Sequence, residues 1–194
     1  MGTKDIELAL EKQKLFFDSG ITLDIDFRLK NLKKLRELII SHEAEICDAM
    51  NRDFNKPPFE VLATETRFTV AEINHMIRNL RNWSGRKRVR TSLVNFAARS
   101  YIEPQPYGQV LVLSPWNYPF QLAMVPVMSA IAAGNTVILK VSQKVAATGQ
   151  VISKILGNFP EELIFFVGGG YDLTDYLLNY HFDYIFFTGS PEVG

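Results

Sequence analysis

Hydrophobic positions in the first part of the chain recur at helical spacing. The pattern predicts helices over residues 1–20, 27–52 and 59–83. In the second of these, apolar side chains recur at intervals of three, four or seven, which places them on one face and the charged residues on the other. The members of that apolar stripe are Leu29, Leu32, Leu35, Ile39, Ile46 and Met50. Asp24 or Asp26 is suited to cap the start of this helix, because a carboxylate accepts hydrogen bonds from the first free N–H groups.

From Gly108 onward, short β-branched and leucine runs alternate with helical stretches. Residues 109–113 and 136–139 are typical of buried strands, and the apolar helix between them completes a right-handed crossover unit. The alternation continues with strands over 163–167 and 184–187 and helices over 144–156 and 172–178. The predicted fold class is therefore α/β, with amino-terminal helices followed by a Rossmann-like doubly wound parallel sheet that is incomplete.

A basic stretch joins these two parts of the chain. It begins with RKRVR at Arg86 and runs to Arg99, and residues 100–107 then alternate as an extended edge strand. A nucleic-acid patch is one interpretation of the cations. Without interleaved aromatic residues or a second basic cluster, a solvated connection is the favoured one.

The composition is 47% hydrophobic and 22% charged with a formal net charge of zero, which is typical of a globular protein. A neutral chain has no overall field to attract nucleic acid or an anionic membrane, so neither partner is expected. The most apolar run, residues 122–133, is too short to cross a bilayer and predicts a core helix. The N-terminus does not resemble a signal peptide, and the single cysteine, Cys47, fits a reducing compartment, so we expect a cytoplasmic protein.

The other reactive side chains show no pattern of their own. His42, His75 and His181 lack the spacing of metal ligands, so no metal site is expected. No Ser-His-Asp set is apparent along the chain either.

Candidate chemistry lies where the predicted strands end. Asn117 follows the first strand and Lys140 ends the second, and parallel sheets bind ligands at the carboxyl ends of their strands. After the last strand, Gly189 and Ser190 form a turn whose N–H groups can face an anion. Taken singly, each feature also fits a simpler role: Asn117 as a helix cap, Lys140 as a solvated cation, and the turn as an ordinary connection.

Taken together, the motifs resemble the aldehyde dehydrogenases. They are PWNYPF at 115–120, GNTVILK at 134–140 and FFTGSPEVG at 186–194, preceded by R-x3-L-x2-L at 28–35 and DFNKPPFE at 53–60. The order and spacing agree over nearly the whole chain. YGQVLVLSPWNYP is similar to the class 3 branch, which acts on medium-chain, fatty and aromatic aldehydes.

The resemblance implies a role for the loop after the first strand. Asn117 matches the asparagine whose amide stabilises the oxyanion of the thiohemiacetal intermediate, and a neutral donor aimed at developing negative charge suits that task. Ser114 and Trp116 match positions on the loop that faces the nicotinamide end of the cofactor. The implied substrate is an aldehyde, which is oxidised to a carboxylic acid.

The resemblance also implies an NAD site. Lys140 matches the lysine that holds the hydroxyls of the adenine ribose. The family often has a glutamate three residues later, where this chain has Gln143. A neutral side chain does not repel a 2′-phosphate, so we expect NADP to be accepted beside NAD. The residues that match the glycine motif at the cofactor diphosphate are Gly189, Ser190 and Gly194.

The resemblance covers only the amino-terminal portion of the family. The implied parts are a helical segment over 1–85, a connecting and edge-strand segment over 86–107, and the first part of an NAD(P)-binding domain over 108–194. In the family, the cysteine nucleophile and the glutamate base lie downstream of the glycine motif, so the resemblance implies that the catalytic domain is absent here. Cys47 is not a substitute, because it lies in an amphipathic helix and fits a small buried residue.

We therefore expect an inactive fragment of an NAD(P)-dependent aldehyde dehydrogenase, whose parent is expected to be a homodimer. One alternative is a related acylating enzyme that passes the acyl group to coenzyme A. Another is a truncated, non-catalytic paralogue that acts as a nucleotide-binding or partner-binding subunit.

Overall fold

The computed structural model describes residues 2–192 and Gly194. Its helices are α1 (Thr3–Asp18), α2 (Ile25–Ser41), α3 (Glu43–Phe54), α4 (Pro58–Val61), α5 (Arg67–Trp83), α6 (Gln121–Ala133), α7 (Ala146–Leu156) and α8 (Tyr171–Leu178). Its strands are β1 (Lys87–Val89), β2 (Ser100–Ile102), β3 (Gln109–Ser114), β4 (Thr136–Val141), β5 (Ile164–Val167) and β6 (Tyr184–Phe187). A π-helical turn, Leu62–Thr66, joins α4 to α5.

The central sheet contains four parallel strands in the spatial order β5-β4-β3-β6. Along the chain, β4 and β5 are added on one side of β3, and β6 is added on the other. The carboxyl ends of β3 and β6 therefore flank the point at which strand order reverses, where doubly wound sheets bind their ligands.

Helices cover both faces of this sheet, as side chains along each strand alternate between them. Val110 and Val112 pack into a large apolar cluster with α2, α3, α5, α6 and α7. Leu111 and Leu113 point to the opposite face and pack against α1 and α8. The predicted doubly wound α/β class is confirmed, and the amino-terminal helices share the core of the sheet.

The helix predicted over 27–52 is wrong as a single element, because it consists of α2 and α3. His42 between them has φ −102° and ψ 11°, outside the helical range. Ser41 Oγ donates to Leu38 O at 3.0 Å, and His42 Nδ1 lies 2.8 Å from the same carbonyl. Such local side-chain bonds compete with the helical ladder. The apolar stripe continues on both sides of the break, which is why periodicity did not reveal it.

The helix predicted over 59–83 is likewise interrupted. Its early part is α4, the π-turn Leu62–Thr66 follows, and α5 begins at Arg67. A π-turn inserts extra chain into the helix and rotates the residues that follow. Glu65 lies on this turn and is completely buried.

The basic connection contains a small antiparallel pair, in which Lys87 of β1 lies opposite Ile102 of β2. The edge strand predicted over 100–107 is therefore shorter than expected. Pro104 and Pro106 follow it, and a proline has no N–H to donate to a ladder.

The apolar helix α6 packs between the sheet and the amino-terminal helices, as expected for residues 122–133. Among the described residues, no helix combines the length and the apolar character needed to cross a membrane.

Candidate functional site

The strands β3 and β4 end side by side, with Ser114 opposite Val141. Ser114 was expected on the following loop, but this pairing makes it the last residue of β3. Its Oγ is buried and has no hydrogen-bond partner among the described residues. A buried hydroxyl without a partner is uncommon and marks this strand end for attention.

The loop after β3 carries two exposed candidates, Trp116 and Asn117. The indole of Trp116 lies against the ring of Phe54, with 6.5 Å between the centroids, and Lys144 Nζ is 5.6 Å from its centroid. Asn117 does not cap the next helix, because Phe120 is the residue before α6 and no side chain of the helix start supplies a cap. The capping interpretation of Asn117 is therefore wrong, and its amide remains at the surface of the sheet edge.

A buried ion pair between Lys56 and Glu65 packs against this loop and the start of α6. The sequence analysis did not predict it. Lys56 Nζ lies 2.8 Å from Glu65 Oε1, with the two side chains 8% and 0% exposed. Glu65 Oε2 accepts a hydrogen bond of 2.9 Å from the Gln121 N–H, the first of α6. Burial raises the pKa of Glu65, although the Gln121 N–H and the Lys56 ammonium counter the effect. Lys56 Nζ also lies 4.4 Å from the centroid of Tyr118, the residue after Asn117.

A second carboxylate from the amino-terminal helices caps α7. Asp53 Oδ2 accepts from Thr148 N at 2.8 Å and from Thr148 Oγ1 at 2.7 Å, and Asp53 Oδ1 accepts from Ala147 N at 3.1 Å. Asp53 and Lys56 belong to the DFNKPPFE motif, so the motif was a signal, but its contacts were not predictable from it. Asp53 and Glu65 therefore hold the starts of both crossover helices at the candidate edge.

Lys140 lies inside β4, one residue before its end, and is 5% exposed. Its ammonium donates to Val141 O at 2.9 Å and to Gly169 O at 2.8 Å. An ammonium has three N–H groups, so one donor remains without an acceptor among the described residues. Burial lowers the pKa of Lys140, and the Asp172 carboxylate partly opposes this. The solvated-cation interpretation of Lys140 is therefore wrong.

Gln143 is exposed and faces the loop after β5. A methyl group placed on Gly170 would lie 3.1 Å from Gln143 Oε1 and 2.5 Å from Asp172 Oδ1. The two side chains therefore flank Gly170, close to the carbonyl that Lys140 holds. The sequence missed Asp172, a negative charge beside the neutral Gln143.

The glycine turn after β6 packs on the ring of Phe187. A side chain at Gly189 would overlap that ring, so the close approach requires glycine there. Gly194 N donates to Ser190 O at 3.2 Å, which folds the turn back on itself. Thr188 N donates to Leu113 O at 3.2 Å and joins the turn to the end of β3.

The topology thus brings every predicted site residue to the carboxyl edge of one sheet. The glycine turn lies on the β6 side of β3, whereas Lys140 and Gln143 lie on the β4 side. The spare Lys140 donor and the backbone turn at Gly189 fit the hydroxyls and the diphosphate of a dinucleotide.

A sizeable cleft in the described part of the chain lies elsewhere. It has a volume of about 620 Å³ and opens at the amino ends of the strands, between α1 and the residues that include Gln109 and Asp183. Cleft size alone would favour that place. We prefer the carboxyl edge, because the oriented donors and the buried lysine lie there.

Known proteins resemble this chain over nearly its whole length. The family model described as "Aldehyde dehydrogenase family" matches residues 1–194. The 4,4'-diaponeurosporen-aldehyde dehydrogenase of Staphylococcus aureus is 42% identical over 190 residues, covering 97% of this chain and 41% of that protein. Aldehyde dehydrogenase family 3 member A2 of Pongo abelii is 36% identical over 190 residues, covering 97% of this chain and 39% of that protein. The chain spans about two fifths of the length of these relatives.

Solved structures show the same likeness. The substrate-bound state of Staphylococcus aureus AldH superposes with a TM-score of 0.95 at 41% identity, covering 97% of this chain and 41% of that one. The NADP complex of the glyceraldehyde-3-phosphate dehydrogenase GapN from Methanocaldococcus jannaschii has a TM-score of 0.81 at 18% identity, covering 100% of this chain and 43% of that one, which shows the shared fold alone. With its motifs, sheet order and relatives in agreement, the chain belongs to the aldehyde dehydrogenase family, and class 3 members are among its relatives.

Proposed function

We propose that this chain is the amino-terminal part of an NAD(P)-dependent enzyme that oxidises aldehydes to carboxylic acids. The observation that carries the proposal is the arrangement of the sheet edge. The Asn117 loop follows β3 and Lys140 lies near the end of the neighbouring strand β4, so both are at the same edge, beside the point where strand order reverses.

Asn117 is proposed as the oxyanion donor. Its amide is neutral and exposed, on a loop whose following helix is held by Glu65, and a fixed donor stabilises charge that develops in the transition state. The cysteine nucleophile and the glutamate base are proposed to come from residues outside this chain. Cys47 does not serve, because it is buried and burial raises the pKa of its thiol, which disfavours the reactive thiolate.

Lys140 and the glycine turn are proposed to hold the cofactor, which supplies the hydride acceptor when it is bound. The spare ammonium N–H of Lys140 is suited to a ribose hydroxyl, and the turn at Gly189 and Ser190 to the diphosphate. Ser114 and Trp116 are proposed to face the nicotinamide end. Because Gln143 is neutral, we propose that NADP is accepted beside NAD.

The proposed substrates are medium-chain, fatty or aromatic aldehydes, as the resemblance to the class 3 branch implies. We further propose a cytoplasmic location and a homodimeric parent enzyme.

The experiment begins with the coding DNA beyond codon 194. The protein encoded by any uninterrupted longer frame is purified, and NADH and NADPH formation is followed with added aldehydes. We expect turnover by the longer protein and no turnover by the pure 194-residue chain. Asn117→Ala in the longer protein should lower kcat by about 100- to 1,000-fold.

Lys140→Met should raise the KM for the cofactor. Lys154→Met, which breaks only an exposed pair with Glu45, is the matched control and should leave kinetics unchanged.

Turnover by the sequence-verified 194-residue chain would contradict the assignment of nucleophile and base. A longer protein with a downstream cysteine that oxidises no aldehyde with either cofactor would contradict the function itself.

A second candidate function is a non-catalytic subunit that binds a partner. The observation that favours it is β6, which pairs with β3 on one side and leaves all four residues between 37% and 45% exposed. An open edge invites pairing with another chain. Nucleotide titration with sizing under native conditions separates the two functions: an oligomer that binds neither NAD nor NADP supports the partner role.

A further inference from the structure

Glu65 is placed where it acts on the loop of Asn117. Its carboxylate is completely buried at the start of α6, and its Oε2 accepts the Gln121 N–H at 2.9 Å. The first N–H groups of a helix have no partner within the helix, and a carboxylate there also meets the positive end of the helix dipole. Since α6 starts directly after the loop, this bond fixes the position at which the loop must end.

Lys56 holds the same loop at a second point. Its ammonium bonds Glu65 Oε1 at 2.8 Å and lies 4.4 Å from the centroid of the Tyr118 ring, within the range of a cation–π contact. Tyr118 is adjacent to Asn117 in the chain. The pair therefore grips the segment on the helix side of Asn117 twice, through a ring and through a backbone N–H.

The π-turn explains how Glu65 reaches this place. In a continuous helix each residue is rotated by about 100° from the last, so an extra residue in a turn redirects the side chains that follow. Thr69 Oγ1 donates to Glu65 O at 2.7 Å and ties the end of this turn to α5. Single π-helical turns are rare overall and are frequently found at functional sites, which fits the position of this one beneath the candidate site.

Stability alone is a poor explanation of this pair. Removing two charges from water costs about as much as their attraction returns, and replacing both with apolar groups is often neutral. A buried pair of this kind is better explained by what it positions. Lys56 contacts Tyr118 on the loop, and Glu65 bonds Gln121 at the start of the helix that follows the loop.

We propose that the Lys56–Glu65 pair positions the Asn117 loop, residues 115–120, so that the Asn117 amide faces the reacting centre. Both are positioning residues that act through Tyr118 and the start of α6, and neither contacts the substrate. The catalytic consequence rests on the proposed aldehyde oxidation, whereas the ordering of the loop does not.

The test uses the 194-residue chain and reads the loop directly. The double variant Lys56→Met with Glu65→Leu removes both charges and leaves neither partner unpaired. Hydrogen exchange reports the protection of the Gln121 amide, and NMR reports the side-chain amide of Asn117 and the indole of Trp116. We expect exchange at Gln121 to accelerate about tenfold or more relative to the sheet amides, with shifted Asn117 and Trp116 signals and a folded core.

Asp53→Asn is the matched control, because it weakens the equivalent carboxylate cap on α7. It should lower the midpoint of unfolding without changing the Gln121 exchange relative to the sheet or the Asn117 signal. Unchanged loop signals in the double variant would overturn the proposal, as would an equal change in the Asp53→Asn control.

In a longer active protein, the double variant should lower kcat about tenfold or more and leave the KM for the cofactor near its original value. A disordered loop with an unchanged kcat would overturn the catalytic part. The exchange measurement is independent of turnover, so failure of the proposed oxidation would be distinguished from failure of the positioning.

Discussion

Lys140 differs from the solvated cation that a lysine at a strand end suggests. It lies at the expected edge of the sheet, where it is buried and its ammonium donates to the carbonyls of Val141 and Gly169. The burial makes the charged form costly, and two carbonyl acceptors compensate for part of that cost.

This environment has a consequence for stability against pH. Burial lowers the pKa of Lys140 from 10.5, so between the lowered pKa and 10.5 the unfolded chain binds more protons than the folded chain. Stability from this group therefore rises with pH across that window. Urea unfolding of the chain and of Lys140→Met should show the steeper rise in the unaltered chain. Equal slopes in the two proteins would contradict the buried, charged lysine.

Gln143 and Asp172 together set the charge beside the expected ribose. Gln143→Glu should add repulsion against a 2′-phosphate and reduce the affinity for NADP relative to NAD by about five- to tenfold. Asp172→Asn should change the ratio in the opposite direction. Titration calorimetry with both cofactors measures the ratio. The same discrimination in Gln143→Glu and the unaltered protein would show that this position does not read the phosphate.

Gly134 ends α6 with φ +92°, and a methyl group there would lie 2.8 Å from Cζ of the buried Arg28 side chain. Gly134→Ala should therefore lower the free energy of unfolding by about 1–3 kcal/mol. Gly149→Ala is the control, because Gly149 is within α7 and its nearest neighbour is Phe166 Cζ at 4.0 Å. That change should raise stability by about 0.5–1 kcal/mol. Denaturant unfolding of both variants checks the contrast, and equal effects would contradict it.

At the scale of elements, the strands were predictable and the helix breaks were not. Runs such as Val110 to Leu113 have a composition that favours buried strands, and the structure has β3 there. The break at His42 depends on side-chain bonds to one carbonyl, which leave no mark on the apolar pattern. The π-turn that carries Glu65 was not predictable either. It rotates the apolar face of the helix without changing which residue types occur there.

In the candidate site, too, some features were predictable from the sequence and others were not. Asn117 and Lys140 were predictable because short motifs place them at strand ends. Their supports were not, because the partners are remote in sequence: Glu65 and Gln121 are 56 residues apart, and Asp53 and Thr148 are 95 apart. Contacts of that range depend on how helices pack on the sheet.

At the scale of the whole molecule, the sheet has two edge strands, β5 and β6, of which β5 is largely buried and β6 is exposed along its length. Helices cover both of its faces, but β6 has a neighbour only in β3 among the described strands. Its four residues are all aromatic or aliphatic, Tyr184, Ile185, Phe186 and Phe187. Such an edge is a template for association.

We expect the 194-residue chain to associate as its concentration rises, and Ile185→Lys to reduce that association. A lysine in an exposed edge strand opposes pairing because its charge would have to be desolvated. Light scattering over a range of concentrations measures the effect. Lys87→Glu, in the separate β1–β2 pair, is the control and should not change it; a concentration-independent monomer would contradict the prediction.

The two carboxylates that cap α6 and α7 also affect where an anion can bind at the sheet edge. The N–H groups at a helix start often bind phosphate. At the starts of α6 and α7, however, Glu65 and Asp53 already accept hydrogen bonds from such groups. A diphosphate would find the N–H groups of Gln121, Ala147 and Thr148 already bonded to these carboxylates. We therefore expect the glycine turn after β6, and not the starts of α6 and α7, to hold the diphosphate, which would set the direction in which a dinucleotide lies across the edge.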